Sequence, residues 1–412
     1  MLKAFSWVVT ANLARQLAFL AVNAVLFTRL SRPTFGALAL AFGYLTVFAG
    51  LGEFGIRQIG WRDIARQPSE AARLAGACLT ARTLTAVASI ALYLLLAPVL
   101  WGSGLPLALY AGYAPAILVN QSTFDFPLFG LQRIDLHARY SVLAFAAYVA
   151  ACLVLVTDDM HAWRVPVLFV FAMALLLLLE VRWLSRAVGR LRLRVSRAEL
   201  ARIMRASWPL GVGETVNRMA LSYPVILLGA LAGTESVGNY RIAEMGYSFT
   251  AQFGYMFASA GFTRLAHTFE HNRPGASSAV DRMLGVVFVA ALIAGVAFSL
   301  LAPTLLTLLF DGITGETLLV TRILGVALVV AAPARFCRGL LASVDAQQTL
   351  MLINGGTLAV GLAGGWAATA AYGITGMAGS LVLIEIASLV VLIATVRRRV
   401  GAGVDVDGTA TS

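Results

Sequence analysis

A chain of 412 residues that is 59% hydrophobic and only 12% charged, with a mean hydropathy of +0.83, is not the sequence of a soluble domain. Its net charge of +11 comes from 31 cations against 20 acids, and all the cations except Lys3 are arginines, mostly in short segments between apolar runs. That placement argues against a nucleic-acid surface and for an all-α polytopic membrane protein whose basic segments set its orientation.

The N-terminal apolar run follows Lys3, and Val22-Asn23-Ala24 loosely resembles a signal-peptidase site. Asn12, Arg15 and Gln16 interrupt the run, which a signal core rarely tolerates, so a retained first span is expected. With roughly 20 apolar residues needed per crossing, spans are expected at 5–27, 35–56, 74–100, 106–129, 140–156 and 165–183, then at 207–231, 237–260, 283–310, 317–340, 350–371 and 374–396. Twelve spans place a six-helix lobe in residues 1–184, a basic linker in 185–206, a second six-helix lobe in 207–396 and a polar tail in 397–412.

The linker region carries eight arginines between Arg182 and Arg205 against one acid, Glu199. Ser196-Arg197-Ala198-Glu199 reads as a capping box opening a short helix with Leu200, Ile203 and Met204 on one face. That helix lies along the inner leaflet on one reading and is a solvated linker on the other. With both termini inside, 23 cations fall on cytoplasmic segments and span ends, and three, Arg29, Arg32 and Arg164, fall on outer loops.

A shift of 202 residues lays Gly36 on Gly238, Arg62 on Arg264, and Asn12, Arg15 and Gln16 on Glu214, Asn217 and Arg218. Six spans per half give both copies one orientation, a parallel repeat about a pseudo-two-fold along the membrane normal. Pro115, Pro224 and Pro333 fall within spans, where they permit bending.

A charge at mid-bilayer costs about 2.5 to 3.5 kcal/mol on insertion scales, so the polar residues inside the spans need an account. Asn12, Arg15, Gln16 and Asn23 share one face of the first span. Glu214, Asn217, Arg218 and Ser222 repeat the device in the seventh, and Arg241, Glu244, Ser248, Gln252 and Tyr255 do so in the eighth. Three such stripes imply a shared hydrated cavity; the competing account is that Glu214 with Arg218, and Arg241 with Glu244, are intrahelical ion pairs, with Asn and Gln as interhelical glue. Arg82 and Arg322 are expected to snorkel or pair locally, and Glu53, Asp125 and Glu180 to bridge loop arginines. Glu385, deep in the last span, is expected to be neutral or paired across helices.

Catalytic signatures are absent, with no phosphate-cradling loop of the ATPase type. His267-Thr268-Phe269-Glu270-His271 matches a short inverted zinc-protease pattern but lacks a third ligand, and Cys78, Cys152 and Cys337 are scattered within apolar runs. No metal, no cofactor and no enzymatic activity are therefore expected.

Leu30-Ser31-Arg32-Pro33-Thr34-Phe35-Gly36, Phe54-Gly55, Arg62-Asp63-Ile64-Ala65-Arg66 and Gly130-Leu131-Gln132-Arg133, with the basic central joint, resemble the polysaccharide transporter family of the multidrug/oligosaccharidyl-lipid/polysaccharide exporter superfamily. The resemblance implies two six-helix lobes around a central cavity, alternating access, and an undecaprenyl-pyrophosphate-linked oligosaccharide as substrate in a bacterial inner membrane. A polysaccharide polymerase and glycosyltransferases are its implied partners, with membrane lipids around it and no nucleic acid. No site residue carries over from the family. On the residues themselves, Arg15, Arg218 and Arg241 suit a pyrophosphate, and Asn12, Gln16, Asn217 and Gln252 suit a glycan. Glu214 and Glu244 suit coupling to an ion gradient. The alternatives are a drug/cation antiporter of the same superfamily, which favours acids over arginines in the cavity, and a membrane enzyme of envelope assembly, which needs a larger outer platform.

Overall fold

The computed structural model describes the backbone of residues 2–100, 106–189, 191, 193, 195–271, 273–343 and 346–401, and their side chains except at 2–12, 14, 97–98, 100, 253–277, 343, 347 and 399–401. Among the described residues the chain is helical and forms no strand. The helices are α1 (Leu2–Arg29), α2 (Arg32–Glu53), α3 (Ile56–Arg66), α4 (Ala71–Leu100), α5 (Leu107–Ser122), α6 (Asp125–Gly130), α7 (Ile134–Leu155), α8 (Arg164–Val188), α9 (Arg197–His271), α10 (Arg273–Leu309), α11 (Gly315–Ser343) and α12 (Gln347–Gly401). Gly233 breaks α9, and Tyr372 with Gly373 breaks α12. Among the described residues eight helical segments are long and apolar enough to cross a membrane, and large aliphatic side chains such as Leu178, Ile293, Leu300 and Leu308 point outward, so the chain is a multi-pass membrane protein. Contacts divide it into two compact units, Met1–Ile242 and Ala243–Ser412.

Inside the first unit, α2 runs antiparallel to α9 along a seam set by glycines at heptad spacing, Gly36, Gly43 and Gly50. Gly43 faces Val225 and Ile226, Gly50 faces the Arg218 stem, and Gly36 meets the backbone of Thr234 and Gly238. Small residues are what bring membrane helices this close, since packing and not water expulsion drives their association. The Gly36 crossing is reciprocal. A Cβ on Gly36 would strike the Thr234 carbonyl, and one on Gly238 would lie 2.5 Å from the Arg32 carbonyl. Residues 32 and 36 become 234 and 238 under the 202-residue shift, so the repeat seen in the sequence is also a local two-fold contact.

The expected span 106–129 is two helices. α5 stops at Ser122, Thr123 is extended, and α6 starts at Asp125. The break frees carbonyls, and Arg82 of α4 takes them, donating to Thr123 O at 3.0 Å and Asn120 O at 3.2 Å while its guanidinium lies 3.6 Å from Asp125. Arg82 is therefore 2% exposed and does not snorkel; its partners are inside the protein. On the other side of the break, Phe124 N donates to Glu180, whose second oxygen lies 2.7 Å from His137 Nδ1. Glu180 was expected to bridge an arginine, and a histidine fills that place.

α2 ends in two left-handed residues, Phe54 at φ 46° and Gly55 at φ 70°, which turn the chain sharply into α3. α3 presses Gly60 on Phe126 and Ile64 on Gly130, so three of the short motifs, Phe54-Gly55, Arg62 to Arg66 and Gly130 to Arg133, gather around this one helix. Its buried face, Ile56 and Ile64, joins a core with Ala71, Cys78 and Phe126. The start of α9 covers that core: Ile203 is 1% exposed, with Leu200 and Met204 packed beside it. The apolar face of residues 200–204 is therefore turned to protein, which neither reading of the segment anticipated. Ser196 Oγ does accept from Glu199 N at 3.1 Å, but the Glu199 carboxylate is drawn away to Arg73 and the capping box is half made.

Two of the arginines expected on outer loops are held by backbone carbonyls. Arg29 and Arg164 donate to the last carbonyls of α7, at Val156 and Leu155, where cations complement the helix end.

The second unit packs α11 between α10 and α12. Gly295 of α10 crosses Gly325 of α11, and Phe336, Cys337 and Leu340 form a core with Val280 and Leu392. Glu385 of α12 lies 3.8 Å from Arg338 Nη2, which also donates to Ser388 Oγ at 2.7 Å, so the acid is paired across helices.

Candidate functional site

Two of the polar stripes of the sequence, with Arg241 of the third, lie on the first unit, on α1 and on α9 where it crosses the end of α2. Gly50 is the position that shapes that crossing. With no side chain there, Arg218 lays its stem across α2, its Cδ 2.5 Å from where a Cβ would stand. The guanidinium then reaches past α2 to Glu53, with Nη2 at 2.7 Å from Oε2, while Nε donates to Glu214 Oε1 at 2.8 Å one turn back along α9.

Glu53 is 3% exposed and also accepts from Arg57 Nε at 2.9 Å. Arg57 continues to Asp125 at 3.1 Å. A chain of alternating charges, Glu214, Arg218, Glu53, Arg57, Asp125, Arg82, thus runs from α9 through α2 and α3 to α6 and α4. Burial alone would lower the Arg57 guanidinium, but Asp125 and Glu53 outweigh it and hold it above its ordinary value.

Arg15 of α1 is exposed on the same unit as Arg57 and Arg218. One turn further along α1, the Arg241 guanidinium lies 5.7 Å from the Phe19 ring centroid, a cation–π placement. Of the three arginines singled out in the sequence, Arg15 lies on α1 and Arg241 packs over it, while Arg218 shares Glu53 with Arg57, which the sequence offered only as a loop cation. Its i to i+4 spacing from Glu53 was the available signal.

The remaining expected residues are distributed as follows. Gln16 is half-buried and Asn217 exposed on the same unit; the Asn12 side chain lies outside the described residues. Asn23 donates to Phe19 O at 2.8 Å, so its amide serves its own helix and drops out of the stripe. Glu214 forms the intrahelical pair with Arg218 that was the competing account, with Glu53 added. In the second unit, Glu244 accepts from Ser248 Oγ at 3.1 Å, Gln252 is half-buried, and the Tyr255 side chain falls outside the described residues. Arg322, expected to snorkel or pair locally, is exposed.

The side chains of His267, Glu270 and His271 are also outside the described residues. Among the described residues no group of three His, Cys, Asp or Glu side chains is placed to hold a metal, and the three cysteines are free and buried. Chemically, the site offers guanidinium groups already engaged with carboxylates, the arrangement in which an incoming phosphate can exchange with an acid.

A family model described as polysaccharide biosynthesis protein matches residues 1–262. No curated protein matches the chain. Among solved structures, an inward-facing multidrug resistance MATE family transporter of the MOP superfamily is 17% identical with a TM-score of 0.77, covering 95% of this chain and 94% of that one. The outward-facing form of such a transporter is 16% identical with a TM-score of 0.66, covering 97% and 96%. A MOP superfamily transporter from Pyrococcus furiosus, described as having a binding pocket of reversed polarity that suggests a different function, is 17% identical with a TM-score of 0.60, covering 97% and 93%. At these identities the likeness is one of fold.

Proposed function

The chain belongs to the polysaccharide biosynthesis protein family, and we propose that it is a flippase carrying undecaprenyl-pyrophosphate-linked oligosaccharide units across a bacterial inner membrane by alternating access. In this reading both termini are cytoplasmic, the lobes 1–184 and 207–396 move about the basic linker 185–206, and a polymerase and glycosyltransferases act before and after it. The observation that carries the proposal is the pair of guanidinium groups, Arg57 and Arg218, gathered on Glu53, with Arg15 on the same unit and Arg241 of α9 over Phe19 of α1.

A pyrophosphate needs bidentate guanidinium contacts, which lysine does not supply and which fit the near-exclusive use of arginine in this chain. Arg218 is held by Glu53 and Glu214 until the headgroup arrives and takes the place of a carboxylate. Glu214 modulates that exchange and couples it to an ion gradient, with Glu244 in the corresponding role on the second unit. Gln16 and Asn217 are the amides offered to the glycan on the first unit. The support for a cargo unlike that of the multidrug relatives is the cationic character of the site, and the Pyrococcus furiosus transporter is a precedent for altered pocket polarity on this fold.

The test is transport of a fluorescent lipid-linked oligosaccharide in proteoliposomes. Arg15→Ala and Arg218→Ala are expected to abolish it at normal protein levels; retained transport in both rejects the pyrophosphate role. Extrusion of an organic cation by the unmodified protein would favour the antiporter instead.

A further inference from the structure

We propose that the basic hollow at the foot of α3 binds the phosphate headgroup of an anionic phospholipid. The inference goes beyond the export reading and does not depend on it. The hollow is a cavity of about 610 Å³ closed by the last turn of α3, the start of α4 and the first turns of α9. Four guanidinium groups line it, those of Arg62, Arg66, Arg73 and Arg202, against the carboxylates of Asp63 and Glu199.

The acids are already neutralised. Asp63 takes Arg62 at 3.1 Å and Arg202 at 3.3 Å, and Glu199 takes Arg73. Arg66 has no ion pair among the described residues. Arg73 also takes Glu70 at 2.6 Å just outside the lining, so four cations against three anions leave the hollow at +1. Arg66 is thus a cation held in a concavity with Gln67, a neutral donor, beside it. The first turn of α9, which lines the same wall through Ala198, adds the positive end of a helix.

Depth decides the source of the phosphate. Trp61, next to Arg62, is 47% exposed, and Trp208, beyond Arg202 on α9, is 57% exposed. Two outward tryptophans beside arginines, one midway along the short polar α3 and one in the first turns of α9, mark the level at which a bilayer meets water. A concavity at that level meets lipid headgroups at a far higher local concentration than any soluble phosphate, and anionic headgroups collect at basic surfaces.

Native mass spectrometry of the full chain in detergent, titrated with phosphatidylglycerol and phosphatidylcholine, tests the assignment. One phosphatidylglycerol should bind in preference to phosphatidylcholine, and Arg66→Ala should weaken it about tenfold or more, the scale of a lost charged hydrogen bond. Gln67→Glu should weaken it similarly while removing no ion pair, which guards against a folding artefact. Equal retention of the two lipids, or indifference to both variants, overturns the site. Displacement of the lipid by millimolar inorganic phosphate overturns the lipid assignment in favour of a soluble ligand.

Discussion

Glu53 accepts hydrogen bonds from arginines on two different helices, Arg57 of α3 and Arg218 of α9, while remaining 3% exposed. One carboxylate therefore fixes both the turn out of α2 and the crossing of α9. Glu53→Gln leaves two guanidinium groups facing each other without their shared anion. Breaking a fully buried pair costs about 3 to 5 kcal/mol, and the partial exposure of both arginines lowers the expected loss to about 2 kcal/mol. A thermal melt in detergent reads this, and an unchanged melting temperature would contradict the shared-anion role.

Arg82 is the capping group of the α5–α6 break. Arg82→Leu should cost about 2 to 4 kcal/mol, because it strands the Thr123 carbonyl and the Gln121 amide oxygen and leaves Asp125 to Arg57 alone. Arg82→Lys should recover little, since a single ammonium does not span Asn120 O, Thr123 O and Asp125 together. Protease sensitivity at 123–124 alongside the melt checks the pair of variants, and full rescue by lysine would remove the forked-donor argument.

Gly36 and Gly238 each meet the backbone of the other's helix, so their substitution should be symmetrical. Gly36→Ala and Gly238→Ala should each cost about 1 to 3 kcal/mol by overpacking. The double variant should cost less than the sum, because the first alanine already parts the helices. Strict additivity in a double-mutant cycle would show that the two contacts are separate.

Gly50 lets Arg218 pass. Gly50→Val puts carbon where the Arg218 stem lies and should reproduce the transport defect of Arg218→Ala with Glu53 and Arg218 both intact. The same proteoliposome assay measures it; wild-type transport in Gly50→Val would separate the seam from the site.

The class of the fold was legible because apolar runs and basic segments alternate, and hydropathy reports both directly. The break at Thr123 was not, because hydropathy continues across it and nothing local says that the carbonyls there are taken by Arg82, 38 to 41 residues earlier. For the same reason Arg82 read as a residue near water. The Glu53–Arg57 link was visible at i to i+4 spacing, whereas Arg218 reaches Glu53 across 165 positions. Asn23 misled in the opposite way, since its helical phase matched the stripe while its amide was spent on its own backbone. The apolar face of residues 200–204 was read correctly as a face; what covers it depends on α3, whose own buried side is short. The offset of 202 found in the sequence did carry spatial information, because it pairs the glycines that touch.

The reciprocal crossing of α2 and α9 is made of main chain on both sides at Gly36 and Gly238. Such a joint has no ridges to disengage, so a roll of one rod upon the other proceeds without lifting any knob from its socket. The duplicated segment thereby supplies its own bearing: each copy contributes the smooth race on which its twin turns.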